Sequence, residues 1–223
     1  MNKEEFLEEC RKINITLTEK QQEQLDNFYK LMIKWNQKIN LTRITEEQDV
    51  YLKHFYDSLT LNKVINLKEV KTLCDVGTGA GFPGIVLKIA FPNIKITLID
   101  SLQKRVNYLN EIIKELDLKD IGAIHTRGED YKGHFQVVTS RAVANIEKLL
   151  NYTMHLVEKD GVFIAMKGNI EDELTEIVKR NISEKYKIKK IEQFLLPIEN
   201  SKRSLIIIKK YDKKTDNKKI SWK

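Results

Sequence analysis

Four glycines, Gly77, Gly79, Gly81 and Gly84, crowd a short span that opens on the acid Asp75. An apolar run, Lys71 to Val76, leads into them, and an apolar run of helical character, Ile85 to Ala90, leads out. A strand-to-helix turn needs glycine where the backbone takes positive φ or meets a ligand closely, because a Cβ there would collide. In an open α/β sheet that turn borders the crevice where nucleotides bind. A second acid, Asp100, follows at the distance expected of a residue that accepts hydrogen bonds from the two ribose hydroxyls. Backbone amides of Gly128 and Glu129, in the polar stretch Arg127 to Asp130, can address a base ring further along the same edge.

Two cofactors compete for this loop. The frame Gly79-x-Gly81-x-x-Gly84 fits a dinucleotide fingerprint, in which helix amides face a pyrophosphate. The frame Asp75-x-Gly77-x-Gly79-x-Gly81 instead ends its strand on a carboxylate. A buried carboxylate repels pyrophosphate but suits the charged amino-acid half of S-adenosylmethionine, as in the first motif of Rossmann-like methyltransferases. The second frame is favoured, with dinucleotide binding and a purely structural turn as alternatives.

The elements that must position these residues follow from periodicity. Residues 1–66 read as a helical cap. Thr18 to Gln21 forms a capping box ahead of the stripe Leu25, Phe28, Met32, Trp35 and Ile39, and Thr45 to Gln48 forms a second ahead of Val50, His54, Leu61 and Val64. Residues 67–211 alternate short β-rich runs with helices. The expected strands are Lys71 to Val76, Lys95 to Asp100, Gly122 to His125, Phe135 to Ser140, Gly161 to Met166, Ile188 to Leu196 and Leu205 to Lys210. Helices are expected over Leu102 to Leu116, with Ser101 as cap, and over Glu171 to Arg180. The pattern predicts an α/β, Rossmann-like fold with a mostly parallel sheet and an antiparallel final hairpin. Residues 212–223 read as a lysine-rich mobile tail on one compact body.

Hydrophobic residues at 41% against 32% charged give enough apolar surface for a buried core and argue against wholesale disorder. No apolar run is long enough to span a bilayer and the first residues lack a signal-type apolar segment, so a soluble, cytoplasmic protein is expected. Cys10 and Cys74 have no metal-ligand spacing, and no metal is expected. A net charge of +7 leans toward a polyanionic partner.

Asn40-Leu41-Thr42, His54 with Asp57-Ser58-Leu59, the loop ending Gly81-Phe82-Pro83-Gly84, Asp100-Ser101 with Lys104-Arg105, Arg127-x-Glu129, Ser140-Arg141-Ala142 and Lys167-Gly168 occur in one order. In that order they resemble the RsmG (GidB) family over about residues 5–210. The resemblance implies an S-adenosylmethionine-dependent enzyme that methylates the seven-position nitrogen of a guanine in bacterial small-subunit ribosomal RNA. Its partner is then the RNA or the assembled small subunit, and a monomer is expected. It also implies cofactor contacts at Gly77, Phe82, Gly128, Glu129 and Arg141. The tail lacks the prolines and glycine common near the family's C-terminus.

That nitrogen carries an exposed lone pair, so its methylation needs alignment and no general base. Arg141, after the fourth strand, is expected to hold a guanine edge or a phosphate through its planar donor fork. Lys167 is expected to play the corresponding part after the fifth, and Asn40 and His54 to close over the site from the cap. A structural ion pair for Arg141 and satisfied buried polar roles for Asn40 and His54 are the competing readings.

Overall fold

The computed structural model describes residues 1–141, 146–170 and 186–210. The expected helix Glu171 to Arg180, the tail from Asp212 and Ala142 lie outside the described residues.

Helix α1 (Lys3–Lys12) starts from a reciprocal capping box between Asn2 and Glu5. Helix α2 (Glu19–Ile39) starts from the expected box of Thr18 and Gln21, and ends at Asn40, whose φ of 48° stops it. Its stripe buries Leu25, Phe28 and Met32 fully, and leaves Trp35 and Ile39 half-buried against the core. Trp35 packs edge-on against Tyr108, the core role expected of it.

The next coil is continuous but changes pitch: α3 (Glu47–Val50), a π-helical stretch Tyr51–Tyr56, α4 (Asp57–Leu59) and a 3-10 turn Thr60–Lys63. The second expected capping box is not made. The helix starts at Glu47, so Thr45 falls one residue too early, and Glu46 occupies the cap position without a side-chain bond. The wide π turn buries Tyr51, Leu52, His54, Phe55 and Tyr56 together, and Asp57 and Ser58 beyond them. A run with so few exposed positions must touch partners on opposite sides.

Among the described residues, seven strands then form one sheet: β1 (Thr72–Val76), β2 (Lys95–Asp100), β3 (Ile121–His125), β4 (Phe135–Arg141), β5 (Val157–Lys167), β6 (Tyr186–Leu195) and β7 (Lys202–Lys210). Their spatial order is β3-β2-β1-β4-β5-β7-β6. The first five pair in parallel, whereas β7 runs antiparallel between β5 and β6. The expected fold class is what forms.

Helices α5 (Gly84–Ala90), α6 (Gln103–Glu115) and α7 (Ile146–Thr153) make the flanking layers. Alternation along each strand divides the core. Leu73, Leu98, Val137 and Ile164 join the cluster shared with the cap helices, and Cys74, Ile99, Val138 and Phe163 join the other with Ile146 and Leu149 of α7. Ser101 does not cap α6. Leu102 occupies that position, and Asp100 Oδ1 accepts its N–H at 2.9 Å.

Strand order reverses between β1 and β4, which both stand beside the turn that follows Val76. The carboxyl ends of β1, β2, β4 and β5 therefore bring Gly77, Asp100, Arg141 and Lys167 to one edge, at the switch point where α/β sheets bind ligands.

Candidate active site

Gly77, Gly79 and Gly81 take φ of 72°, 60° and 96°, the left-handed conformations that the turn demands. Their surroundings differ. A Cβ on Gly79 would meet nothing closer than Gly77 O at 4.0 Å, so this glycine borders open space. A Cβ on Gly81 would strike Ile85 Cγ1 at 2.7 Å, and one on Gly84 would strike Leu98 Cδ2 at 2.2 Å and Asp75 Oδ2 at 3.0 Å. Those two glycines let α5 sit down on β1 and β2.

Asp75 lies beneath this loop and is wholly inaccessible. Its Oδ2 accepts from Thr78 Oγ1 at 2.6 Å and from Gly84 N–H at 2.9 Å. Its Oδ1 is buried with no hydrogen-bond partner among the described residues. Burial pushes its pKa up to about 6 against the pull of those two donors. The sequence placed Asp75 facing the cofactor; in the structure it staples the loop through Thr78 and Gly84. An orphaned carboxylate oxygen under an open glycine turn fits a cationic ligand and opposes a pyrophosphate.

Asp100 ends β2 and is 2% exposed. It accepts Gly79 N–H at 3.0 Å through Oδ2 and Leu102 N–H through Oδ1, so it ties the glycine loop to the start of α6. Oδ1 keeps a second acceptor position, which a ribose hydroxyl can use, whereas the second position of Oδ2 faces Arg105. Arg105 Nη1 stands 3.5 Å from Oδ2. Gly128 is buried in a 3-10 turn after β3, where a Cβ would hit Val76 Cγ1 at 2.8 Å and Tyr152 O at 3.1 Å. Glu129 beside it is exposed.

On the other side of the loop the cap meets the sheet edge. Arg141 donates through Nη1 to Lys53 O at 3.1 Å and Asp57 Oδ2 at 3.2 Å, and through Nη2 to His54 Nδ1 at 3.2 Å. A guanidinium only donates, so Nδ1 accepts and the ring proton sits on Nε2, which donates to Thr42 Oγ1 at 2.9 Å. Burial, helped by the Arg141 charge, pushes the His54 pKa down to about 3. His54 is neutral, with both nitrogens occupied. Its ring stacks on Phe82 of the loop at 4.4 Å, and Arg141 lies over the same ring at 5.0 Å. Asp57 also accepts from Arg203 Nε of β7 at 3.1 Å.

This cluster walls a cavity of about 260 Å³ whose lining includes His54, Asp57, Arg141, Lys167, Gly168 and Arg203. A larger one, about 760 Å³, opens at the amino-terminal ends of β4 and β5 beside Gln136 and Gly161. Position favours the smaller. It lies at the carboxyl edge, next to the loop.

The structure thus gathers Arg141, Lys167 and His54 but not Asn40. Asn40 is exposed at the end of α2, and Thr42 reaches His54 in its place. Asn36 arranges that, its Oδ1 accepting from Leu41 N–H and Thr42 N–H at 2.6 Å and 2.9 Å. Sequence reasoning gave no role to Asp57, quoted only as part of a motif, and missed Arg203 and Lys53. Asp57 stood three residues past His54, within reach of notice. Arg203 carried no local signal, since only the antiparallel insertion of β7 beside β5 brings it here.

The family described as rRNA small subunit methyltransferase G (GidB) matches residues 21–206. The chain belongs to that family. A relative from Lactobacillus helveticus, called ribosomal RNA small subunit methyltransferase G, is 46% identical over 219 residues, covering 94% of this chain and 91% of the relative. Its namesake from Bacillus licheniformis is 43% identical with the same coverage. A solved S-adenosylmethionine-dependent methyltransferase from Aquifex aeolicus superposes with a TM-score of 0.57 at 17% identity, over 73% of this chain and 93% of that one. A ribosomal protein L11 methylase from Lactobacillus delbrueckii gives 0.54 at 17% identity, over 76% and 81%. These two likenesses speak for the fold. Family membership and fold together make this chain a methyltransferase with S-adenosylmethionine as methyl donor, which decides between the two readings of the glycine loop.

Proposed function

We propose that this chain methylates small-subunit ribosomal RNA at the seven-position nitrogen of a guanine, with the Arg141 cavity receiving the target. One observation carries the choice of atom. Among the described residues, the cavity offers no base: His54 is neutral with both nitrogens engaged, and Asp57 is spanned by two arginines. A hydroxyl or exocyclic amine must lose a proton as it is methylated, whereas a ring nitrogen with an in-plane lone pair does not. The chemistry that suits such a cavity needs orientation alone.

When bound, S-adenosylmethionine supplies an electrophilic methyl carbon to that nitrogen. Gly77 and Gly79 leave room for it, Gly128 and Glu129 border its base, and Asp100 serves its ribose. Phe82, whose ring carries His54 and Arg141 side by side, links the donor side of the loop to the residues that line the cavity. Arg141 orients the guanine, and Lys167 at the end of β5 assists it. Asn40 lies outside the cavity lining and has a structural part at the turn after α2. The substrate is the RNA or the assembled subunit, met by a cytoplasmic monomer. Among the described residues no helix is long and apolar enough to cross a membrane.

Arg141→Ala separates the roles. Loss of an aligned, charge-assisted contact costs about 2 to 4 kcal/mol, so transfer at saturating cofactor should slow by roughly one to three decades. Cofactor affinity should fall far less. Single-turnover methylation of small subunits, with product mapped by the strand scission peculiar to seven-methylated guanines, alongside direct cofactor titration, measures both. Near-normal transfer in the variant, or product that resists scission, overturns the assignment.

A further inference from the structure

We propose that Arg141, Arg203 and Asp57 form a clamp for a phosphodiester of the RNA strand at the target guanine, with Arg203 as the gripping residue and Asp57 as the positioning residue. This rests on the RNA reading above.

Two guanidiniums share one carboxylate here: Arg141 Nη1 at 3.2 Å from Oδ2 and Arg203 Nε at 3.1 Å from Oδ1. They come from different strands, and the carboxylate comes from the cap. Without Asp57 the two cations would repel each other across a half-buried wall. Arg203 is fixed further, its Nη1 donating to Ser201 Oγ at 3.1 Å and Lys202 O at 2.9 Å. Its Nη2 has no partner among the described residues. A planar fork immobilised on a strand, with donors left over beside a cavity, is pre-organised for an oxyanion.

Charge points to the same ligand. Lys53 on this wall is already offset by Asp49 and Glu199 at 3.2 Å and 3.1 Å. Asp57 offsets only one of its two arginines. A neutral base needs no such excess; a phosphodiester does. Each arginine makes three donations from its five N–H groups, but those left to Arg203 share one terminal nitrogen, Nη2, whereas those left to Arg141 are divided between Nε and Nη2.

The test compares wild type with Arg203→Ala, Arg203→Lys and Asp57→Asn in the full chain. Two readouts are needed: methylation of small ribosomal subunits, and anisotropy binding of a short single-stranded oligoribonucleotide across salt concentrations. Arg203→Ala should weaken binding about tenfold and flatten the log K against log salt slope by roughly 0.7, one phosphate's worth, with cofactor affinity unchanged. Asp57→Asn is sharper. It adds one net positive charge, so charge counting alone requires tighter RNA binding, whereas a positioning role requires weaker. We expect weaker binding, by several-fold. Arg203→Lys, which keeps the charge and loses the fork, should retain the salt slope without restoring affinity, and it decides the matter if Asp57→Asn does not fold. Wild-type affinity and slope in Arg203→Ala, or tighter binding in folded Asp57→Asn, overturns the clamp. Failure of the wild type to methylate subunits, with the oligoribonucleotide pattern intact, overturns the ribosomal substrate and leaves the clamp standing.

Discussion

Two buried residues of the site, Asp75 and His54, titrate in opposite senses, and pH separates them. His54 falls from 6.5 to about 3 on folding, so between those values the unfolded chain binds a proton that the folded one refuses. Its contribution to stability is present above pH 6.5 and is lost as pH drops through that window. Asp75 rises from 3.8 to about 6, so there the folded chain binds the extra proton and stability declines as pH climbs toward 6. A tenfold change in proton affinity between the folded and unfolded chain corresponds to about 1.4 kcal/mol. Urea denaturation between pH 4.5 and 6.5 should therefore show a steeper rise with pH in Asp75→Asn than in wild type, and a flat or falling trend in His54→Gln. Identical slopes in all three proteins would show that neither burial acts as described. Asp75 was legible in the sequence because a strand end followed by glycines specifies its place, and Asp100 because it closes the next strand at the spacing of a ribose-binding acid. The direction in which Asp75 points was not, because whether an acid staples a loop or faces its ligand depends on Thr78 and Gly84 closing over it.

At the scale of elements, the glycine loop is two devices in one segment. Gly84 serves packing, and Gly79 serves whatever occupies the open side. Gly84→Ala forces a Cβ into Leu98 and should destabilise the fold by about 1 to 3 kcal/mol, read as a lowered Tm. Gly79→Ala meets no neighbour and incurs only the left-handed backbone penalty, about 1 to 2 kcal/mol, yet it should weaken cofactor binding more than Gly84→Ala does per degree of Tm lost. Equal binding losses for equal Tm losses would mean that the loop senses only the fold. The period of the apolar residues gave α2, α6 and the strands nearly in place. It failed at caps, where one residue of slippage moved the start of α3 past Thr45 and that of α6 past Ser101. It also failed at the π turn, since a widened pitch has no sequence period of its own and reads as ordinary helix.

For the whole molecule, the strand order explains why the site draws on residues so far apart in the chain. Parallel β1, β2, β4 and β5 deliver their ends to one edge, and the antiparallel β7 delivers its beginning there, which is how Arg203 arrives beside Lys167 and Gly168. The cap closes that edge from the opposite end of the sequence. What joins the two is one ring: Phe82 belongs to the cofactor loop, yet its neighbours are His54 of the π turn, Arg141 of β4, and Phe28 and Phe55 of the cap. A ligand that stiffens the loop must then raise the free energy of opening the cap, even where it makes no contact with it. Amide hydrogen exchange reads this directly. Saturating cofactor should slow exchange across Tyr51 to Leu59 along with the loop. Slowing confined to the loop would mean that Phe82 transmits nothing. Substrate-side order would then be indifferent to the donor, and the enzyme could meet its RNA equally well before or after it is charged.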